Sequence, residues 1–376
     1  MLSCRRKKHV PSNPHSSSRI RLQTNWLSRF PLKQRILQII RFLVFLLIAL
    51  FLLYLACRGI DLNKVWEDVK HARYAWLLIT IPAGILSHIF RAWRWNLLIE
   101  PLGYNPRLIN TFYAVMSGYL ANLALPRLGE VVRCGSLAKT DKVPFDTLLG
   151  TVIIERVVDM IILMILLVVT FLINVGFFGK FFVTHVFRPL EVRFFAITRH
   201  PQTIILLLSL TFTLILLIWL FRKKLKNIVF IEKIFDFFRG IVDGISTIGN
   251  LKNRPLFLFS SFLIWLMYFV TAWLVLYMLP ETSSLTAVDG LFLLVVGSLG
   301  MVIPVQGGIG AYHWIVSMAL TLYGISREAG LALATLAHES QTLLILVVGG
   351  FSMIMIALQR NKKLSLSSKG IKDGQV

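Results

Sequence analysis

Two proline-and-glycine interruptions, each set inside an otherwise apolar stretch, constrain this chain more than any other feature. The first is Pro126-Arg127-Leu128-Gly129-Glu130 and the second Pro304-Val305-Gln306-Gly307-Gly308-Ile309-Gly310. Proline removes a backbone donor and breaks the helical ladder. Backbone freed in this way inside a bilayer is tolerated only where protein or a wet interior satisfies it. The surrounding stretches are of the membrane kind. Hydrophobic residues make up 56% of the chain and mean hydropathy is +0.72, more than a soluble domain can bury. The sequence therefore predicts an all-α polytopic membrane protein with both interruptions turned inward.

Six stretches are long enough to span, at about 36–57, 76–99, 148–173, 203–221, 256–279 and 330–358. Two more, 109–125 and 288–303, end at the breaks. Charge placement assigns these two. If each broken segment is a helix pair that leaves on the side it entered, both termini are cytoplasmic. The cytoplasmic segments then hold 27 Lys and Arg against nine outside, a positive-inside bias of three to one. The alternative makes 127–146 cross the bilayer, although it carries Arg127, Glu130, Arg133, Lys139, Asp141, Lys142 and Asp146. The expected architecture is about six full spans plus two re-entrant or broken helix pairs in a membrane domain at 36–358. Basic tails at 1–35 and 359–376 flank it, the first disordered. Segment 228–250 reads as an interfacial cytoplasmic helix joining the halves.

This topology has an internal symmetry. The first hairpin enters from the cytoplasm between an inward and an outward span, and the second enters from outside between an outward and an inward one. Opposite orientations of one pattern make an inverted-topology repeat, whose paired interruptions point to a transporter's binding site. The net charge of +22 could suit a nucleic acid. Its concentration in a tail beside an apolar span instead fits topology and anionic-lipid contact. Cys4, Cys57 and Cys134 are scattered, so neither a disulfide framework nor a zinc spacing is present. No cofactor is expected.

The ionisable residues within the spans carry the chemistry. Arg91, Arg94 and Trp95 share a face with His88 one turn earlier. Arg94 and Trp95 read as snorkelling anchors, whereas Arg91 and His88 lie deeper and fit a phosphate site. Glu155, Arg156 and Asp159 sit one to two turns inside a strongly apolar span. Spacing places Glu155 and Asp159 on one face and lets Arg156 pair with Asp159. They serve either transport directly or a buried ion-pair cluster that fixes packing. The first break adds Asn122, Arg127, Glu130 and Arg133, and arginine's bidentate fork suits a lipid phosphate. Gly307, Gly308 and Gly310 permit close backbone approach, and a helix starting near Gly310 would aim its N-terminus at an anion. His313, His338 and Glu339 complete the polar set, with proton coupling as one role open to them.

Arg91-x-x-Arg94-Trp95, Asn122-x-x-x-Pro126-x-x-Gly129-Glu130-x-x-Arg133, Glu155-Arg156-x-x-Asp159 and Pro304-x-x-Gly307-Gly308-x-Gly310, in that order, resemble the flippase-like family. This is the transmembrane region of lysylphosphatidylglycerol synthases, also found as stand-alone proteins. The resemblance covers about 36–358. It implies an inner-membrane domain that translocates lipids such as aminoacylated phosphatidylglycerol or polyisoprenyl-linked sugars. It also makes Arg127, Glu130, Arg133, Glu155, Arg156 and Asp159 the foremost functional residues. Two departures stand out. Only 18 residues follow the last span, so the synthases' aminoacyl-tRNA-dependent transferase activity is not expected here. The acid that the family often carries three residues after its last break glycine is His313 in this chain.

The expectation is a plasma-membrane flippase or lipid-transport protein for an anionic phospho- or polyisoprenyl-phosphate-type lipid. Such a protein would not be an enzyme and would bind no nucleic acid. A lipid-modifying enzyme or glycosyltransferase is its natural partner. The rivals are an integral-membrane transferase using Glu130, Glu155 or Asp159 as general base and an accessory subunit of an envelope-synthesis complex.

Overall fold

The computed structural model describes residues 32–176, 209, 213 and 253–373. The expected span at 203–221 (Ser209 and Thr213 apart), the expected interfacial helix at 228–250, residues 177–202 and most of the N-terminal tail lie outside these residues. The described part is helical throughout: α1 Leu32–Cys57, α2 Leu62–Lys70, α3 Leu77–Ile99, α4 Leu108–Ala124, α5 Leu128–Asp141, α6 Phe145–Ile173, α7 Arg254–Leu274, α8 Ala287–Val302, α9 Ala311–Leu320 and α10 Arg327–Asp373. Among the described residues, four helices are long and apolar enough to cross a membrane, or five if the bent pair α1–α2 counts as one. That is fewer than the six spans expected. Part of the difference falls on 203–221. The rest is α1, which counts only together with α2, turned 88° from it. The last helix, α10, continues to Asp373, into the segment expected as the basic tail. The compact unit of the chain runs from Phe45 onward, and the packing below belongs to it.

Local chemistry sets the boundaries. α4 ends at Leu125 and α8 at Ile303, both extended and both directly before proline, which disfavours helical backbone in the preceding residue. Asp61 caps α2 by accepting from the Asn63 and Lys64 amides, and Thr286 with Asp289 forms a capping box on α8.

Contacts give each helix a direction. Between α3 and α7, Trp76 meets Tyr277, Arg91 meets Tyr268 and Arg94 meets Ser261, so the two run antiparallel. Between α3 and α6, Trp95 meets Thr151 and Arg91 meets Asp159, again antiparallel. Between α4 and α10, Asn110 meets Gln359 and Tyr113 meets Phe351. Since α4 is antiparallel to α3 through Asn96–Thr111 and His88–Tyr119, α10 runs with α3. Thus α3 and α10 run one way and α6 and α7 the other, the relation that charge counting gave.

Both breaks form helical hairpins. In α4–α5, Asn110 bonds Asp141, Ser117 meets Ser136 and Asn122 bonds Gly129, a regular antiparallel register. In α8–α9, Phe292 meets Tyr323 and Gly297 meets Tyr312. Each half therefore reads span, hairpin, span. The corresponding helices α3 and α7 pack on each other, while α4 packs on α10 and α6 on α8. Equivalent helices that are antiparallel are those of an inverted repeat. The hairpin tips meet: a Cβ on Gly307 would lie 2.9 Å from Leu123 Cδ2.

Candidate functional site

A buried charge network lies where α3, α5, α6 and α7 come together. Arg91 Nη1 donates to Asp159 Oδ2 at 2.9 Å and its Nη2 to the Tyr268 hydroxyl at 3.0 Å. Arg94 Nη1 donates to Asp159 Oδ1 at 2.7 Å and to Ser261 Oγ at 3.3 Å, and its Nη2 reaches Glu155 Oε1 at 3.3 Å. Arg133 donates to the other Glu155 oxygen from α5. Its guanidinium also lies 4.1 Å from the Trp95 ring centroid, and Trp95 Nε1 donates to Thr151 Oγ1 at 2.8 Å. Three guanidiniums thus face two carboxylates, one positive charge in excess. Both oxygens of each carboxylate are taken, whereas the Nε–H groups of Arg91, Arg94 and Arg133 are buried without partners.

Toward the hairpin tip the charges are more accessible. Arg156 Nη2 donates to Glu130 Oε1 at 3.0 Å, with the two side chains 44% and 24% exposed. Arg127 is exposed and has left-handed backbone (φ 66°) at the start of α5. Asn122 Oδ1 accepts from the Gly129 amide at 2.7 Å, so it caps α5 from the preceding helix.

Several sequence-level assignments change. Arg94 and Trp95, expected as snorkelling anchors, are wholly buried at the centre of the network. The expected Arg156–Asp159 pair does not form. Asp159 turns to α3, where two guanidiniums compete for it, and Arg156 pairs across to α5. His88 is buried with its ring 4.8 Å from that of Tyr119 and touches no phosphate-sized group of donors. The start of α9 is not open to an anion either. Gly310 (φ +80°) seats against the α1 backbone at Ala49 and Leu53, and Ala311 beside it is fully buried. Sequence reasoning missed Arg94, Thr151, Ser261 and Tyr268. The i,i+3 spacing to Arg91 singles out Arg94, but as an anchor and not as a member of the network. The other three carry no sequence signal, because serine, threonine and tyrosine are common in spans.

The second hairpin gathers a separate polar group. His338 Nε2 lies 2.7 Å from the Gly307 carbonyl and its Nδ1 3.0 Å from Glu339 Oε1, while His313 Nε2 lies 3.8 Å from the same oxygen. His313 and His338 are buried and Glu339 is about half exposed.

The family model for the lysylphosphatidylglycerol synthase TM region matches residues 38–349. A UPF0104 membrane protein of Methanocaldococcus jannaschii is 24% identical over 338 residues, covering 85% of this chain and 96% of that protein. No solved structure matches.

Proposed function

Because the chain belongs to the lysylphosphatidylglycerol synthase TM region family, we propose that this multi-pass membrane protein moves a lipid with an anionic phosphate-type head group between leaflets. The observation that carries the proposal is the cationic excess of the buried network, bordered by the accessible Arg156–Glu130 pair and Arg127 at a broken helix. In this reading the buried network is scaffold. It holds α3, α5, α6 and α7 in register and sets a positive field, while Arg156 and Arg127 supply the contact. An arriving phosphate competes with Glu130 for the Arg156 guanidinium, exchanging one anionic acceptor for another. The acyl or prenyl tail stays in the bilayer. A transferase is the second reading: guanidinium donors occupy both oxygens of Glu155 and of Asp159, so Glu130, whose Oε2 has no partner among the described residues, is the base it would use. The cytoplasmic placement of both termini and the plasma-membrane location belong to the same proposal.

Reconstitution tests it. Purified protein in liposomes should speed the transbilayer movement of a fluorescent anionic phospholipid relative to protein-free vesicles. Acceleration of none of a broad panel, together with chemical conversion of one lipid, would replace transport by the transferase reading.

A further inference from the structure

We propose that His313, His338 and Glu339 form a binding site for one divalent first-row transition metal ion of the Zn2+ type, which pins the second hairpin to α10. One donor atom from each of the three residues lies within 4.8 Å of the others. The individual separations are 3.0 Å from His338 Nδ1 and 3.8 Å from His313 Nε2 to Glu339 Oε1. A tetrahedral ion with bonds of about 2.1 Å spaces its ligands roughly 3.4 Å apart. The two distances bracket that value, so small side-chain rotations would close the set.

The hydrogen bonding around His338 points the same way. A carbonyl oxygen only accepts, so the 2.7 Å contact with Gly307 places the proton on His338 Nε2. In the neutral ring this leaves Nδ1 with a bare lone pair facing a carboxylate oxygen at 3.0 Å. Two lone pairs at that distance repel unless a cation lies between them, whether a proton or a metal ion. A ring that donates one N–H to a backbone carbonyl and turns its other nitrogen to the ion is the usual support of a metal-bound histidine. His313 is 4% exposed and turns its Nε2 toward the same carboxylate oxygen, 3.8 Å away. The donor set of two imidazoles and one carboxylate is that of zinc sites with an open fourth position. Half-exposed Glu339 leaves room for entry. His313 stands in the first turn of α9, while His338 and Glu339 stand on α10. An ion there would tie the two helices together beside the Gly307–Gly310 break.

The test uses tag-free, chelator-treated full chain in detergent, titrated with Co2+ as a spectroscopic probe. The expected result is one equivalent bound with the visible bands of a tetrahedral nitrogen-oxygen site, displaced by Zn2+. Binding should vanish in the double variant His313→Ala/His338→Ala. It should weaken at least about tenfold in Glu339→Gln, which keeps the shape of a half-exposed side chain and leaves folding intact. Zn2+ should also raise the unfolding temperature of the unaltered protein by more than that of Glu339→Gln at the same concentration. If the unaltered protein binds no Co2+, or if the double variant binds it equally well, the metal site is excluded. The readout needs no lipid movement, so its failure and that of the transport proposal are separable.

Discussion

At the scale of single residues, the buried arginines and the accessible one separate scaffold from contact. Truncating Arg94 as Arg94→Leu leaves Asp159 and Glu155 each short of a donor in a wholly buried site, and breaking a buried pair typically costs about 3–5 kcal/mol. That variant should fail to accumulate as monodisperse protein in detergent, as size-exclusion chromatography would show. Arg156→Lys keeps the charge and loses only the fork at a site that is 44% exposed, so it should accumulate normally while lipid movement falls. An Arg156→Lys variant as active as the unaltered chain would remove Arg156 from the contact. Glu130→Gln, which weakens the competitor for that fork, should bind anionic lipid more tightly. The need for these charges was legible in the sequence, because ionisable residues inside an apolar span must face one another or a polar interior. Their partners were not. Spacing along one helix offered Arg156 to Asp159, but inter-helix packing decided otherwise by bringing Arg91 and Arg94 to it together.

At the scale of elements, the first hairpin closes on two glycines. A Cβ on Gly129 would run into the Gly118 carbonyl and the Asn122 side chain, and one on Gly118 would lie 2.8 Å from the Gly129 carbonyl. Gly129→Ala should therefore lower the unfolding temperature and the yield. Gly135→Ala, on the same helix with nothing within 4 Å of its Cβ, should be neutral or stabilising by up to about 1 kcal/mol. The sequence marked the Pro126 break but not Gly118, an ordinary glycine within an apolar run. A second test lies on α2, outside the membrane-spanning helices. Burial and the neighbouring Glu281 carboxylate raise the pKa of Asp68 above its ordinary value. With the folded value above the unfolded one, the folded chain holds the proton more tightly, so this group's contribution to stability falls as pH rises through that window. Asp68→Asn should raise the unfolding temperature near neutral pH, and the gain should shrink once the medium is acidic enough to protonate Asp68 in both states. A gain of equal size at all pH values would assign the effect to something other than charge.

For the molecule as a whole, the charge count assigns the two ends to opposite sides of the membrane, and this assignment gives the topology its test. At one end the Arg73 amide bonds the Met278 carbonyl and Arg327 reaches the Arg58 and Leu55 carbonyls. This joins the segments that charge counting places outside. At the other end Asp141 holds Arg107 and Asn110, and Gln359 bonds Asn110, joining segments placed in the cytoplasm. The relative directions of α3, α6, α7 and α10 agree with the lysine and arginine count, which rests on the resistance of positive charge to translocation across the membrane. The meeting of the two hairpin tips at Leu123 and Gly307 was not, since neither residue marks a partner in the sequence. Orientation is checked with Cys4, Cys57 and Cys134 replaced and one exposed position at a time changed to cysteine. In intact cells, a membrane-impermeant thiol reagent should label Asn63→Cys and Ser284→Cys. It should label Lys142→Cys, where the backbone turns left-handed after α5, only once the membrane is opened. Labelling of all three in intact cells would place Lys142, and with it the Asn110–Asp141 end of the first hairpin, on the same side as Asn63 and Ser284, and so overturn the sidedness that the charge count gives.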